Sequence, residues 1–211
     1  MAVFSYIDFY IRRIKRIFPA LILVLVFCIG FGWLLMFPDE FKRLGKHIAS
    51  SSGFVINLVL LKEDNYFAPE SEVKPLLHLW SLGVEEQFYF IWPLLLAIAW
   101  KCKRDIPRLI FLLTAISFCL TYAMFKLDPL FAFYSPLTRF WELTIGSALS
   151  YITIVKQFHQ KAGRNYLATI GVILILVAIL FVRPDTKING LHLILPVIGS
   201  FCLIASGMDA W

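Results

Sequence analysis

The sequence predicts an all-α, polytopic membrane helix bundle with about six transmembrane helices plus one short re-entrant or interfacial helix. Three observations predict it. Several uncharged runs reach the length that crosses a bilayer, which helices of soluble cores rarely do. Hydrophobic residues make up 60% of the 211 and mean hydropathy is +0.78, which excludes an ordinary soluble globule. The formal charge of +6 comes from Lys and Arg clustered between the runs, which reads as topology and headgroup contact. No periodic basic and aromatic face suggests a nucleic-acid partner.

The elements follow in order. Met1 to Tyr10 lacks a basic region ahead of an apolar core, so no cleaved signal peptide is expected. Arg12, Arg13, Lys15 and Arg16 precede an uncharged run from Ile17 to Pro38, about 33 Å long as a helix and enough for the hydrocarbon core. The section from Asp39 to Pro75 is the most polar. Its apolar part, Ile48 to Leu61, holds Ser50, Ser51, Ser52, Gly53 and Asn57, and its length suits the re-entrant or interfacial helix. From Lys62 to Pro75 a charged loop is expected, with Asn65, Pro69 and Pro75 as breakers. Five further spans are expected at about Leu79–Trp100, Leu109–Phe125, Phe140–Val155, Asn165–Val182 and Ile188–Met208. Trp33, Trp80, Trp92, Trp100 and Trp141 fall at or near span ends, as an aromatic belt would have them.

Charge counting orients the bundle. If Ile48 to Leu61 does not cross, eleven of the 20 basic residues share one side on three short segments: four at positions 12–16, four at 101–108, and Lys156, Lys161 and Arg164. Five of the other nine are spread among six acids between Asp39 and Pro75. Six spans with the amino terminus cytoplasmic fit this bias best.

Chemistry concentrates between His78 and Pro93. Adjacent carboxylates, Glu85 and Glu86, open a run otherwise apolar through Trp100. A charge at the bilayer centre costs roughly 2.5–3.5 kcal/mol on insertion scales, less near the interface, so acids there are expected to meet partners or do work. On one helix Ser81 and Glu85 share a face at i, i+4, Gly83 permits close backbone approach, and Glu86 points about 100° away. His78 sits just before this helix, where capping or an interfacial role is the simpler account. Arg13 and Arg16, at i, i+3, either anchor topology or grip an anionic ligand such as phosphate. Arg139 and Glu142, also i, i+3, begin another span after a Ser135-Pro136 turn, and can form an ion pair at the interface. Gly146 and Ser147 permit tight helix packing there. His47, His159 and His192 read as loop or bundle polars. Cys28, Cys102, Cys119 and Cys202 form no Cys-x-x-Cys pair and no metal-ligand spacing, so no metal is expected.

Three stretches carry a resemblance. Phe9-Tyr-Ile-Arg-Arg-Ile-Lys-Arg-Ile-Phe-Pro-Ala20 resembles the Arg-x-x-Arg segment of the acyltransferase-3 family. Asn57 through Tyr66-Phe67, then Pro75-Leu-Leu-His-Leu-Trp-Ser-Leu-Gly-Val-Glu-Glu-Gln-Phe-Tyr-Phe-Ile-Trp-Pro93, resembles that family's most specific stretch. Tyr134-Ser-Pro-Leu-Thr-Arg-Phe-Trp-Glu-Leu-Thr-Ile-Gly146 resembles its third. The resemblance implies an integral enzyme of the bacterial inner (plasma) membrane that moves an acyl group, usually acetyl, from cytoplasmic acetyl-CoA to a hydroxyl of a cell-surface polysaccharide. Lipopolysaccharide O-antigen, peptidoglycan and exopolysaccharide are the usual acceptors, and no bound cofactor is implied.

Carried onto this chain, the resemblance sets Arg13 and Arg16 at the coenzyme phosphates. Ser81, Glu85 and Glu86 fall in the embedded polar site with His78 beside them, and Arg139 and Glu142 support it. Acyl transfer to a hydroxyl needs a base and oxyanion stabilisation, and Glu85, then Glu86, is the first candidate for base or proton-relay partner. Full members begin with one or two more spans, the first bearing an Arg and, about ten residues later, a His regarded as the acyl-transfer base. This chain starts where a third span would begin, stops short of the family's last spans, and has no histidine in an equivalent context. Residues 1–211 are therefore expected to form one partial acyltransferase-3 domain. The alternative is a truncated, inactive or split-gene remnant that acts only with a separate chain holding the missing spans. A small transporter would need inverted repeats or matched broken helices, which the sequence lacks.

Overall fold

The computed structural model describes residues 5–63, 74–154, 163–181 and 193–207. They are helical throughout apart from turns, with no strand among the described residues. The chain divides into two compact units, Met1–Gly83 and Val84–Trp211.

In the first unit, α1 (Tyr6–Leu35) starts at Ser5, whose side chain accepts from the Asp8 N–H at 3.3 Å. Capping and an acid in the first turn both favour a start here, so the basic cluster lies on the helix itself. At 30 residues α1 is about 45 Å long. It stops where Pro38 pushes Phe37 out of helical geometry. Pro38 then opens α2 (Pro38–Ser52), and the Phe37 N–H donates to Glu40 Oε2 at 3.0 Å. Gly32 lets the two helices meet, since a Cβ there would lie 2.6 Å from a Leu44 methyl.

The stretch from Ile48 to Leu61 is not the single short helix that its apolarity suggests. α2 ends at Ser52, Gly53 and Phe54 form a turn with Phe54 at φ 55°, and α3 (Ile56–Glu63) begins beyond it. The serines explain the break. Ser50 and Ser52 hydroxyls donate to the carbonyls of His47 and Ile48, side-chain bonds that compete with the helical ladder. Glycine then adds about 1 kcal/mol against continuing. Phe18 packs edge-on against Phe54, ring centroids 5.8 Å apart. Gly83 also packs here: a Cβ on it would come within 3.1 Å of Asn57 Oδ1 and 3.2 Å of the Phe54 carbonyl. The charged loop expected at 62–75 lies mostly outside the described residues.

The fourth helix, α4 (Leu79–Lys101), runs from the first unit into the second, which also holds α5 (Ile106–Leu127), α6 (Pro129–Tyr134), a 3-10 turn (Pro136–Thr138), α7 (Phe140–Ile154), α8 (Arg164–Phe181) and α9 (Ile194–Ser206). Its core stacks Phe88 on Trp92 at 5.2 Å and sets Phe140 edge-on to Phe88 at 5.3 Å. Trp92 and Trp141 are buried in this unit, packed against the rings of Phe88 and Phe118. Trp33 and Trp100, by contrast, are exposed at helix ends. Helices α8 and α9 meet through Gly171 and Gly199, the close backbone approach by which membrane helices associate.

Among the described residues three helices, α1, α4 and α5, are long and apolar enough to cross a bilayer, and many of their large apolar side chains are exposed, as lipid contact requires. The other three expected spans are the helices α7, α8 and α9, of 15, 18 and 13 residues. Their expected ends at 155, 182, 188–192 and 208 fall outside the described residues, as do His159 and His192.

Candidate functional site

Helix α1 carries Arg13 half-buried and Arg16 exposed, one turn apart. At this i, i+3 spacing the two residues leave the helix axis about 60° apart and share one face.

The turn at 75–78 leads into α4. His78 is exposed, and its carbonyl accepts from the Ser81 hydroxyl at 3.2 Å. Ser81, also exposed, thus satisfies a backbone acceptor in its own first turn, as serine does at helix starts. One turn further on, Glu85 and Glu86 are both half-buried. The helix therefore carries two carboxylates early in a segment of spanning length.

Arg139 and Glu142 form the ion pair that their spacing allows, Nη1 to Oε1 at 2.7 Å. The guanidinium also donates from Nε to the Phe133 carbonyl at 3.3 Å and lies 5.1 Å from the Phe133 ring centre. Only 9% of the Arg139 side chain is exposed, against 29% for Glu142, so the cation is the more deeply held member.

What fixes this pair is a network of small hydroxyls that no sequence pattern announces. Ser117 Oγ donates to the Leu137 carbonyl at 2.6 Å and accepts from the Trp141 N–H at 3.0 Å. Thr121 donates to the Thr138 carbonyl, and Thr138 donates to the carbonyls of Ala132 and Ser135 at 2.9 Å each. These bonds satisfy buried backbone groups between α6 and α7, where an unpaired group costs roughly 1–3 kcal/mol. They hold the turn that presents Arg139.

A second polar cluster has no local signal in the sequence either. His47 on α2 is buried and its Nε2 lies 2.7 Å from Glu63 Oε2 on α3, while Lys46 Nζ reaches Glu63 Oε1 at 2.6 Å. Burial pushes the Glu63 carboxyl up, but the hydrogen bonds and charges of Lys46 and His47 outweigh it and hold the group below its ordinary value. The partners are 16 and 17 residues apart, and the turn at Gly53–Phe54 is what lets α2 and α3 bring them together. Among the described residues no group of three or more His, Cys, Asp or Glu is placed to hold a metal ion, and the four cysteines are free thiols.

Helix, hydropathy and placement of charge together define an all-α integral membrane protein with acids set into its helices and a buried arginine at the turn before α7. A family model described as an acyltransferase domain matches residues 2–208. The chain belongs to the acyltransferase-3 family. Among its relatives, an uncharacterized protein of Haemophilus influenzae is 32% identical over 213 residues, covering 95% of this chain and 86% of that protein. YrhL of Bacillus subtilis is 32% identical over 161 residues, covering 73% of this chain and 25% of YrhL. OatA of Listeria monocytogenes, a peptidoglycan O-acetyltransferase, is 30% identical over 185 residues, covering 82% of this chain and 29% of OatA. The chain thus spans a quarter to under a third of the length of the latter two. No solved structure matches it.

Proposed function

We propose that the chain works in a membrane O-acetyltransferase that moves acetyl from acetyl-CoA to a hydroxyl of a cell-surface polysaccharide such as peptidoglycan, O-antigen or exopolysaccharide. The observation that carries this reading is a pair of half-buried carboxylates, Glu85 and Glu86, on a helix of spanning length inside an acyltransferase domain. The name of OatA supports a glycan acceptor.

In the reaction, Glu85 takes the proton of the acceptor hydroxyl, directly or through a relay. The hydroxyl oxygen attacks the thioester carbonyl carbon, the C–S bond breaks, and coenzyme A leaves as thiolate while an ester forms. Arg13 and Arg16 meet the coenzyme phosphates, which sets the amino terminus on the cytoplasmic side of the inner (plasma) membrane, in accord with the positive charge of that segment. A separate chain supplying further spans is the partner this reading names.

The test is mass spectrometry of surface glycans from cells expressing the chain in its native context. Glu85→Gln should lower acetylation by about 10²–10⁴-fold, the usual worth of a general base, while membrane insertion is kept. Unchanged acetylation dismisses the assignment. Arg13→Ala combined with Arg16→Ala should raise the apparent KM for acetyl-CoA, and an unmoved KM returns both to topology anchors.

A further inference from the structure

Between α7 and α9 the second unit holds a cleft of about 310 Å³. One wall is a stripe of α7 at helical spacing, Glu142, Ile145 and Leu149; the other is built from α9 and includes Val197, Ser200 and Phe201. We propose that this cleft binds an uncharged glycolipid, with a sugar headgroup at Glu142 and Ser200 and its hydrocarbon chain along Ile145, Leu149 and Val197. The proposal rests on the acceptor being a glycan and narrows it to one carried on a lipid.

Apolar walls do not by themselves select a ligand in a bilayer, because lipid tails are as apolar as leucine. Selection has to come from the polar groups. Among the described residues lining the cleft Glu142 is the charged one, and Arg139, buried behind it, holds its Oε1 at 2.7 Å. A phosphate headgroup would meet a carboxylate. An ammonium would meet a carboxylate whose charge the guanidinium already offsets. Hydroxyl donors face neither objection, since an ionised carboxylate has about four acceptor positions and the arginine engages one oxygen. The Ser200 hydroxyl can donate or accept, and the aromatic side chain of Phe201 lines the same cleft. Size agrees: at about 30 Å³ per water-sized group the cleft has room for about ten such groups. That is room for one sugar ring, or for a ring edge with the start of a chain.

The experiment uses the full chain in phosphatidylcholine nanodiscs with an alkyl glucoside bearing a photoreactive diazirine in its chain. Crosslinks are mapped by peptide mass spectrometry. Labelling should fall on α7 and α9, and unlabelled alkyl glucoside should displace it about tenfold better than an alkyl phosphate or alkyltrimethylammonium of equal chain length, the factor expected for hydrogen bonds to a charged group. Val197→Trp, which fills the cleft, should abolish the labelling, and Ser200→Ala should weaken it several-fold. Displacement of equal strength by all three amphiphiles, or labelling outside these helices, overturns the proposal, and the competition in the unaltered chain decides this whether or not the variants fold. Because binding is read without acyl transfer, the two readings fail separately. Glucoside-selective labelling without acetylation in cells sinks the enzymatic reading, and acetylation without selective labelling sinks the glycolipid site.

Discussion

A single methyl group placed on Gly171 tests whether α8 and α9 are held by close backbone contact. A Cβ there would lie 2.8 Å from the Gly199 carbonyl oxygen, 2.8 Å from Leu203 Cγ and 3.1 Å from the Leu203 nitrogen. Two of those three atoms are backbone, so no side-chain rotation relieves the clash, and the helices must move apart by several tenths of an ångström. A gap of about 0.5–1 Å forfeits a quarter to a half of each dispersion contact along the seam. Overpacking of this kind costs about 1–3 kcal/mol, and an unyielding backbone puts Gly171→Ala near the upper end. Against this stands the gain in helix propensity, about 1 kcal/mol for glycine to alanine. The net expectation is a loss of about 1–2 kcal/mol. Gly30 on α1 provides the control, because a Cβ there meets nothing within 4 Å; Gly30→Ala should keep the propensity gain and be neutral or stabilising. Unfolding of both variants in mixed micelles, followed by circular dichroism, measures the difference. If Gly171→Ala proves as stable as Gly30→Ala, the seam is not backbone-limited and the packing argument fails.

Three further substitutions probe the polar clusters. Glu63 has a folded-state pKa below its ordinary 4.5, so its stabilising contribution is full above that value and is lost as pH falls through the depressed one. Glu63→Gln should therefore differ most from the native chain above about pH 4.5 and converge with it below, as melting curves across pH will report; parallel curves would remove the carboxylate from the account. At the other cluster, Glu142→Ala takes the carboxylate from the more buried guanidinium and should cost about 3 kcal/mol, the low end for breaking a buried pair. Arg139→Met leaves a carboxylate with 29% of its side chain exposed and should cost less, and the reverse order in chemical denaturation would contradict the burial of this pair.

Local chemistry makes much of the chain legible in its sequence. The stop of α1 ahead of Pro38 and the long helices α4 and α5 follow from proline and uncharged length, which act over a few residues or along one segment. The spacing of Arg139 and Glu142 likewise foretells their ion pair. The sequence by itself determined an all-α membrane protein of the acyltransferase-3 kind with its acids early in α4. Tertiary structure alone decided that Ile48 to Leu61 folds back at Gly53–Phe54, that His47 and Lys46 meet Glu63, that Trp92 and Trp141 enter the core, and that α7 and α9 leave a cleft beside Glu142. The reason is range. Helices arise from neighbours three and four residues apart, whereas these features join side chains many positions distant, whose meeting depends on how each helix turns its faces toward the next.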